Sequence, residues 1–246
     1  MIARLASLMI FFAAWYIGSA LAGDQLLPSP TIVADAIAAE ARSGDLFFNL
    51  AVTLTRVLLA FALAMAAGTA IGILMGRVML ADRLGDPWLV VLLNLPALVI
   101  IVLAYVWGGL TEAAAILAVA LNKLPNTVVA IREGARALDP GLDEMAKAFA
   151  LPRCKILRHV VLPQLAPFVA TAARSGLSLI WKIVLVVELL GRPNGVGFEI
   201  GIAFQLFDIT RILAYAMTFV AVILAIDTLL VQPLERRASR WRLRKA

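Results

Sequence analysis

Asp139-Pro140-Gly141-Leu142-Asp143-Glu144-Met145-Ala146-Lys147-Ala148-Phe149-Ala150-Leu151-Pro152 is the stretch on which the reading of this chain turns. It spells a short helix. Asp139 can cap the first free N–H groups, Pro140 suits the first helical position, and Asp143 and Glu144 sit at the positive end of the helix dipole. Pro152 drives Leu151 out of the helical region, which predicts the end of the run there. Leu142, Met145, Ala146 and Phe149 fall at i, i+3, i+4 and i+7 as one apolar stripe, with Asp143, Glu144 and Lys147 to the side. About three turns of helix do not hold alone in water, so the stripe needs cover. Two covers are open: the ends of this chain's own helices, or a groove on a separate partner.

Around this stretch the chain is built for lipid. Of its 246 residues 63% are hydrophobic and 15% charged, where a soluble domain is about half apolar and a quarter charged. A hydrocarbon core takes roughly 20 apolar residues per helical crossing. Apolar windows at 5–22, 57–76, 87–109, 113–131, 164–190 and 212–231 predict about six crossings, the fourth and fifth with internal charges. The expected fold is one all-α membrane domain over residues 1–246, with 132–163 as its long connection. That connection holds six basic residues, Arg132, Arg136, Lys147, Arg153, Lys155 and Arg158, while Asp24, Asp35, Glu40 and Asp45 outweigh Arg42 in the first one. Positive charge marks the cytoplasmic side, so 132–163 and both termini are expected there. The tail agrees, with Arg236, Arg237, Arg240, Arg242, Arg244 and Lys245 directly after an apolar run. The uncharged run after Arg4 exceeds a usual signal-peptide core and reads as a retained first helix, with a cleaved signal as the alternative.

Several local features refine this plan. Leu27-Pro28-Ser29-Pro30 reads as an external turn, and 31–42 as either an amphipathic surface helix or a simple connector. Gly68, Gly72 and Gly76, extended by Ala64, form a row of small residues on which a neighbouring helix can pack closely. Pro96, beside Asn94, should kink the third span, for packing or for gating, and Trp88 and Trp107 stand near its two ends. Arg174, Ser178 and Lys182 recur at i, i+4 and i+8, with Ser175 beside them and Glu188 roughly on the same side. Ionisable groups at membrane depth tend to face the bundle interior or a wet path. On that reading Lys182 and Ser178 face a path and favour a small anion. The alternative has Arg174 snorkelling to the inner surface and Lys182 paired with a carbonyl or an acid.

The exclusions are as useful. No G-x-x-x-x-G-K-[ST] run is present to cradle nucleotide phosphates. His159 and Cys154 are the only residues of their kinds, so one chain builds neither a disulfide nor a paired-histidine zinc site. His159 reads as solvated and Cys154 as a small buried side chain. The net charge of +6 sits at membrane flanks and does not point to nucleic acid. A membrane enzyme lacks its cluster of acids or histidines; a self-contained channel or secondary transporter remains as the competing class.

The loop from Glu144 to Pro163 resembles the EAA motif of binding-protein-dependent ABC importer permeases, in which Glu-Ala-Ala is followed by three residues, Gly, nine residues, Ile, one residue and Leu-Pro. Glu144, Ala146, Leu162 and Pro163 match, Val160 replaces Ile, and Met145 and Ala150 stand where the motif has Ala and Gly. The resemblance, in particular to the sulfonate, taurine and nitrate branch, extends to Leu27-Pro28-Ser29-Pro30, the stretch 54–77, Pro96, Trp107-Gly108, Asp139-Pro140, Trp181, Glu188 and Gly195-Val196-Gly197. It implies a type I importer fold in a bacterial inner membrane and a second permease copy beside this one. It also implies a cytoplasmic ATPase dimer that holds the ATP and magnesium, so that this chain needs no cofactor, and a periplasmic or lipid-anchored substrate-binding protein. Leu142, Asp143, Glu144, Met145, Ala146, Lys147, Phe149 and Ala150 would then couple to the ATPase, and Arg174, Ser178, Lys182 and Glu188 would line the path.

Overall fold

The computed structural model describes residues 2–233, so the basic tail lies outside the described residues. Within them the chain is helical. In order come α1 (Ile2–Ala22), α2 (Pro30–Ser43), α3 (Asp45–Arg77), α4 (Met79–Asn94), α5 (Ala97–Gly108), α6 (Glu112–Arg136), α7 (Pro140–Ala148) and α8 (Arg153–Ile156). A π-helical turn, Leu157–Val161, then leads into α9 (Leu162–Gly191), followed by α10 (Val196–Gln205), α11 (Ile209–Ile226) and a second π turn, Asp227–Val231. Two compact units are present, Met1–Thr55 with Leu185–Ala225, and Arg56–Val184 with Ile226–Ala246.

The second unit is organised by the glycine row of α3. A Cβ added to Gly68 would lie 2.7 Å from Thr127 Cβ, and one added to Gly72 would lie 2.8 Å from Ile131 Cβ, while Gly76 meets Ala135 in the same way. Steps of four on α3 therefore match steps of four on α6, in the same direction, so these helices run parallel. Small residues allow this approach, and dispersion contacts hold it where lipid supplies no hydrophobic drive. At one end of the seam Arg56, 3% exposed, grips Glu112 through two nitrogens at 2.7 and 2.9 Å. At the other, Arg132 and Arg136 bind Asp86 and Asp82 of α4, each at 2.6 Å.

The expected third span is not one helix. Leu95 is extended, as a residue before proline must be, Pro96 opens α5, and α4 and α5 differ in direction by 100°. Pro96 thus breaks the span rather than kinking it. The second expected span also starts earlier than its apolar window, at Asp45, because Asn49, Thr53 and Arg56 are buried in protein and need no lipid-compatible side chain. Among the described residues three helices are long and apolar enough to cross a membrane, Asp45–Arg77, Glu112–Arg136 and Ile209–Leu229, or four with the bent pair counted as one. The remaining expected spans, 5–22 and 164–190, lie on α1 and α9. Residues 31–42, left open between helix and connector, are helical, with Val33 buried.

Because Ile131 sits against Gly72, Gly72→Val should cost about 1–3 kcal/mol through overpacking. Thermal unfolding in detergent, followed by tryptophan fluorescence, should show the drop; an unchanged midpoint would mean that the seam is not closely packed.

Candidate functional site

The connection between α6 and α9 forms as its sequence indicates at one end and differently at the other. At the start, Asp139 Oδ1 accepts from the N–H of Gly141 at 2.8 Å, with Pro140 at the first helical position. Gln164 at the head of α9 adds a tie that the sequence reading did not find: its Oε1 accepts from the N–H of Asp139 at 3.0 Å while its Nε2 donates to Val160 O at 3.0 Å. Beneath, Ile131, Ala135, Val161 and Leu165 form a small core with Leu138, Ile156 and Phe168 against it.

The end of α7 corrects the expectation that Leu151-Pro152 supplies the break. Ala150 has φ 45°, in the left-handed region, and Leu151 N–H reaches back to Ala146 O at 3.0 Å. This is a left-handed C-terminal cap, in which glycine normally carries the turn. Ala150 therefore adopts the conformation that the motif's glycine would take freely, at a cost of about 1 kcal/mol.

Of the stripe on α7, Ala146 is fully buried, whereas Leu142, Met145 and Phe149 are 36%, 44% and 74% exposed. Glu144 is also exposed and helps to line a cleft of about 430 Å³ with Gly76, Arg77, Ala135, Arg136, Leu138 and Pro140. The side chains of Asp143 and Lys147 lie outside the described residues. Cys154, expected to be buried, is exposed. His159 is exposed as expected, with Nδ1 3.2 Å from Lys155 O.

The stripe on α9 separates into two kinds of residue. Arg174, Ser175, Ser178 and Lys182 are exposed, whereas Ala172, Gly176, Ile180 and Val184 are buried on the other side of the helix. Glu188 does not belong with the exposed group. It has no exposed surface, and its carboxylate accepts from Thr53 Oγ1 and from the N–H of Gly197, each at 2.9 Å.

Those two bonds are part of a larger arrangement at the start of α10. Gly195 N–H donates to Asn49 Oδ1 at 2.7 Å, Val196 N–H to Thr53 Oγ1 at 2.9 Å, and Gly197 N–H to Glu188. Three consecutive donors that a helix leaves open are thus capped by side chains one turn apart on α3 and by one carboxylate on α9. Gly195 has φ 107°, and its missing Cβ makes room for the Glu188 carboxyl group. Farther along α10, Glu199 pairs with Arg211 at 2.9 Å, and Glu40 accepts from Tyr215 at 2.7 Å and lies 3.2 Å from Arg211. Burial pushes the Glu199 carboxyl group up, against the pull of Arg211. Asn49 and Thr53 escaped the sequence reading because they stand outside the apolar window; only their four-residue spacing and the glycines of 195–197 signal the cap.

Two expectations follow. Ala150→Gly should relieve the left-handed strain and raise hydrogen-exchange protection of the α7 amides about fivefold, equivalent to about 1 kcal/mol; unchanged protection would refute the strain. Thr53→Val should destabilise by about 1–3 kcal/mol, the cost of an orphaned buried N–H. Thr55→Val, at an exposed hydroxyl bonded only to Ala51 O, should not lower the melting temperature, and equal melting of the two variants would refute the cap.

The sequence matches the family described as "Binding-protein-dependent transport system inner membrane component" over residues 68–240. It is 30% identical to a probable ABC transporter permease protein of Brucella abortus (strain 2308), over 98% of this chain and 96% of the relative. It is also 30% identical to the putative aliphatic sulfonates transport permease SsuC of Escherichia coli (strain K12), over 93% of this chain and 88% of the relative. The taurine transport system permease TauC of the same organism is 27% identical, over 80% and 71%. An amino acid ABC transporter crystallised with histidines shares the fold, with a TM-score of 0.65 at 20% identity, covering 81% of this chain and 97% of that one. With its helical architecture and a family match spanning most of its length, the chain belongs to the inner-membrane permease components of binding-protein-dependent ABC importers.

Proposed function

We propose that this permease carries a small anion inward as one of two identical copies, driven by a cytoplasmic ATPase that seats on α7. The observation that carries the coupling role is the exposure of Leu142, Met145 and Phe149 on a helix whose remaining stripe residue, Ala146, is fully buried. An apolar face of this kind on a charged loop suits a groove on a soluble partner. Glu144 flanks the contact, and Ala150 sets where the helix ends. The positive charge of 132–163 supports a cytoplasmic loop, with both termini on the same side. ATP and magnesium bind the partner, and this chain holds no cofactor of its own.

Substrate class is argued from two directions. Relatives at about 30% identity bear names for aliphatic sulfonates and, slightly lower, for taurine. In this chain Arg174, Ser178 and Lys182 occupy an exposed face of α9, and such a face is costly against lipid. Turned toward a second copy, it would border a wet, cationic route. Glu188 has no part in that route, because its carboxylate is committed to the start of α10.

Phe149→Asp places a charge in the proposed contact while leaving the helix ties in place. Substrate uptake by vesicles containing the assembled importer should fall at least tenfold with the chain still inserted. Uptake at the unaltered rate would refute the coupling role, and transport by the purified chain without ATPase would refute the importer reading.

A further inference from the structure

Lys123 lies at the centre of α6, eleven residues from Glu112 and thirteen from Arg136, and only 1% of it is exposed. At 1.5 Å per residue, the carboxylates on its own helix, Glu112 and Glu133, are each about 15 Å away along the axis. The parallel register of the α3 seam, continued one step from Gly68 and Thr127, sets the fully buried Ala64 opposite Lys123. No ion pair or side-chain hydrogen bond of Lys123 occurs among the described residues. Its chain instead lies across Gly176 at the middle of α9: a Cβ placed there would stand 2.7 Å from Nζ and closer still to Cε.

A cation kept at mid-depth without a counter-charge is expensive, and methionine would fill the same volume without that cost. In its protonated form the amine has no counter-charge here, and the group that would supply one is a small oxyanion such as a sulfonate or carboxylate. Gly176 is two residues from both Arg174 and Ser178, about 200° around α9, so the lysine is covered here by the side of α9 opposite the exposed polar face. α9 is continuous through the π turn with the connection that carries α7, so displacement of that connection moves α9 over α6. Glycine at the crossing leaves no side chain to obstruct the slide.

We propose that Lys123 is an anion-contacting residue of the transport route, covered by α9 in this conformation and uncovered when α9 shifts. This rests on the importer reading above, and the test separates the two. Cys154 is the only cysteine, so Cys154→Ser provides a clean background for Lys123→Cys in the full complex with ATPase and binding protein. The probe is the membrane-impermeant anion (2-sulfonatoethyl) methanethiosulfonate, applied nucleotide-free and after trapping with ATP and vanadate. The modification rate should differ at least tenfold between the two states. An inert cysteine in both states overturns the proposal, whether or not Ser178→Cys in the same background reacts; that second residue reports separately on the exposed face of α9. In parallel, Lys123→Met should lower uptake of radiolabelled methanesulfonate or taurine at least tenfold, and Lys123→Arg should retain most of it. Equal uptake by Lys123→Met and the parent also overturns the proposal. Parent vesicles that take up neither probe would count against the substrate class, while the cysteine measurement still decides the lysine.

Discussion

A backbone N–H that leaves a helix inside a membrane protein must find its partner in the same protein, because lipid offers none. This constraint bears on two places where the helices break off. At the start of α10, Asn49, Thr53 and Glu188 take three consecutive donors. At the proline break between α4 and α5, Leu95 N–H still reaches Val91 O, and the Asn94 amide turns back to Val90 O. In each case the irregularity is local, and a named group meets its cost.

Sequence reading recovers features that are periodic along one helix. The stripe on α7, its Asp139-Pro140 start, the glycine row of α3 and the two-sidedness of α9 all depend on spacing within a single element. What it missed depends on a second element. The glycine row identified a close contact, but only the structure names Thr127, Ile131 and Ala135 as its other half. Glu188 lies near Arg174 in helical angle, about 40° away, yet is claimed by α10, which begins after a turn whose direction no local pattern encodes. The Pro96 break had the right location and the wrong size, since proline fixes its own φ and restricts its neighbour without setting the angle between the two helices.

Ala150 illustrates how a motif can persist in conformation while changing in residue. The left-handed turn that glycine makes without strain is made here by alanine, so packing around the loop overrides about 1 kcal/mol of local preference. The bond from Leu151 N–H to Ala146 O helps to meet that cost, and the complete burial of Ala146 fixes the same residue from its side chain. A resemblance judged on residue identity alone would count this position as lost.

The ties of α7 also determine where a force on it would go. Gln164 joins the first residue before α7 to the first turn of α9, and Leu138 packs with Ile131, Val161 and Leu165, which belong to α6, the π turn and α9. No comparable bond among the described residues links α7 to α4. A partner seated on Leu142, Met145 and Phe149 would therefore act first on α9 and on the C-terminal end of α6. The crossing of those two helices at mid-length is where Lys123 meets Gly176, so a small displacement at the loop bears directly on the place where this buried lysine lies against a glycine. The α3 seam, interlocked at three successive turns and closed at its start by Arg56 and Glu112, provides the side against which that displacement is measured.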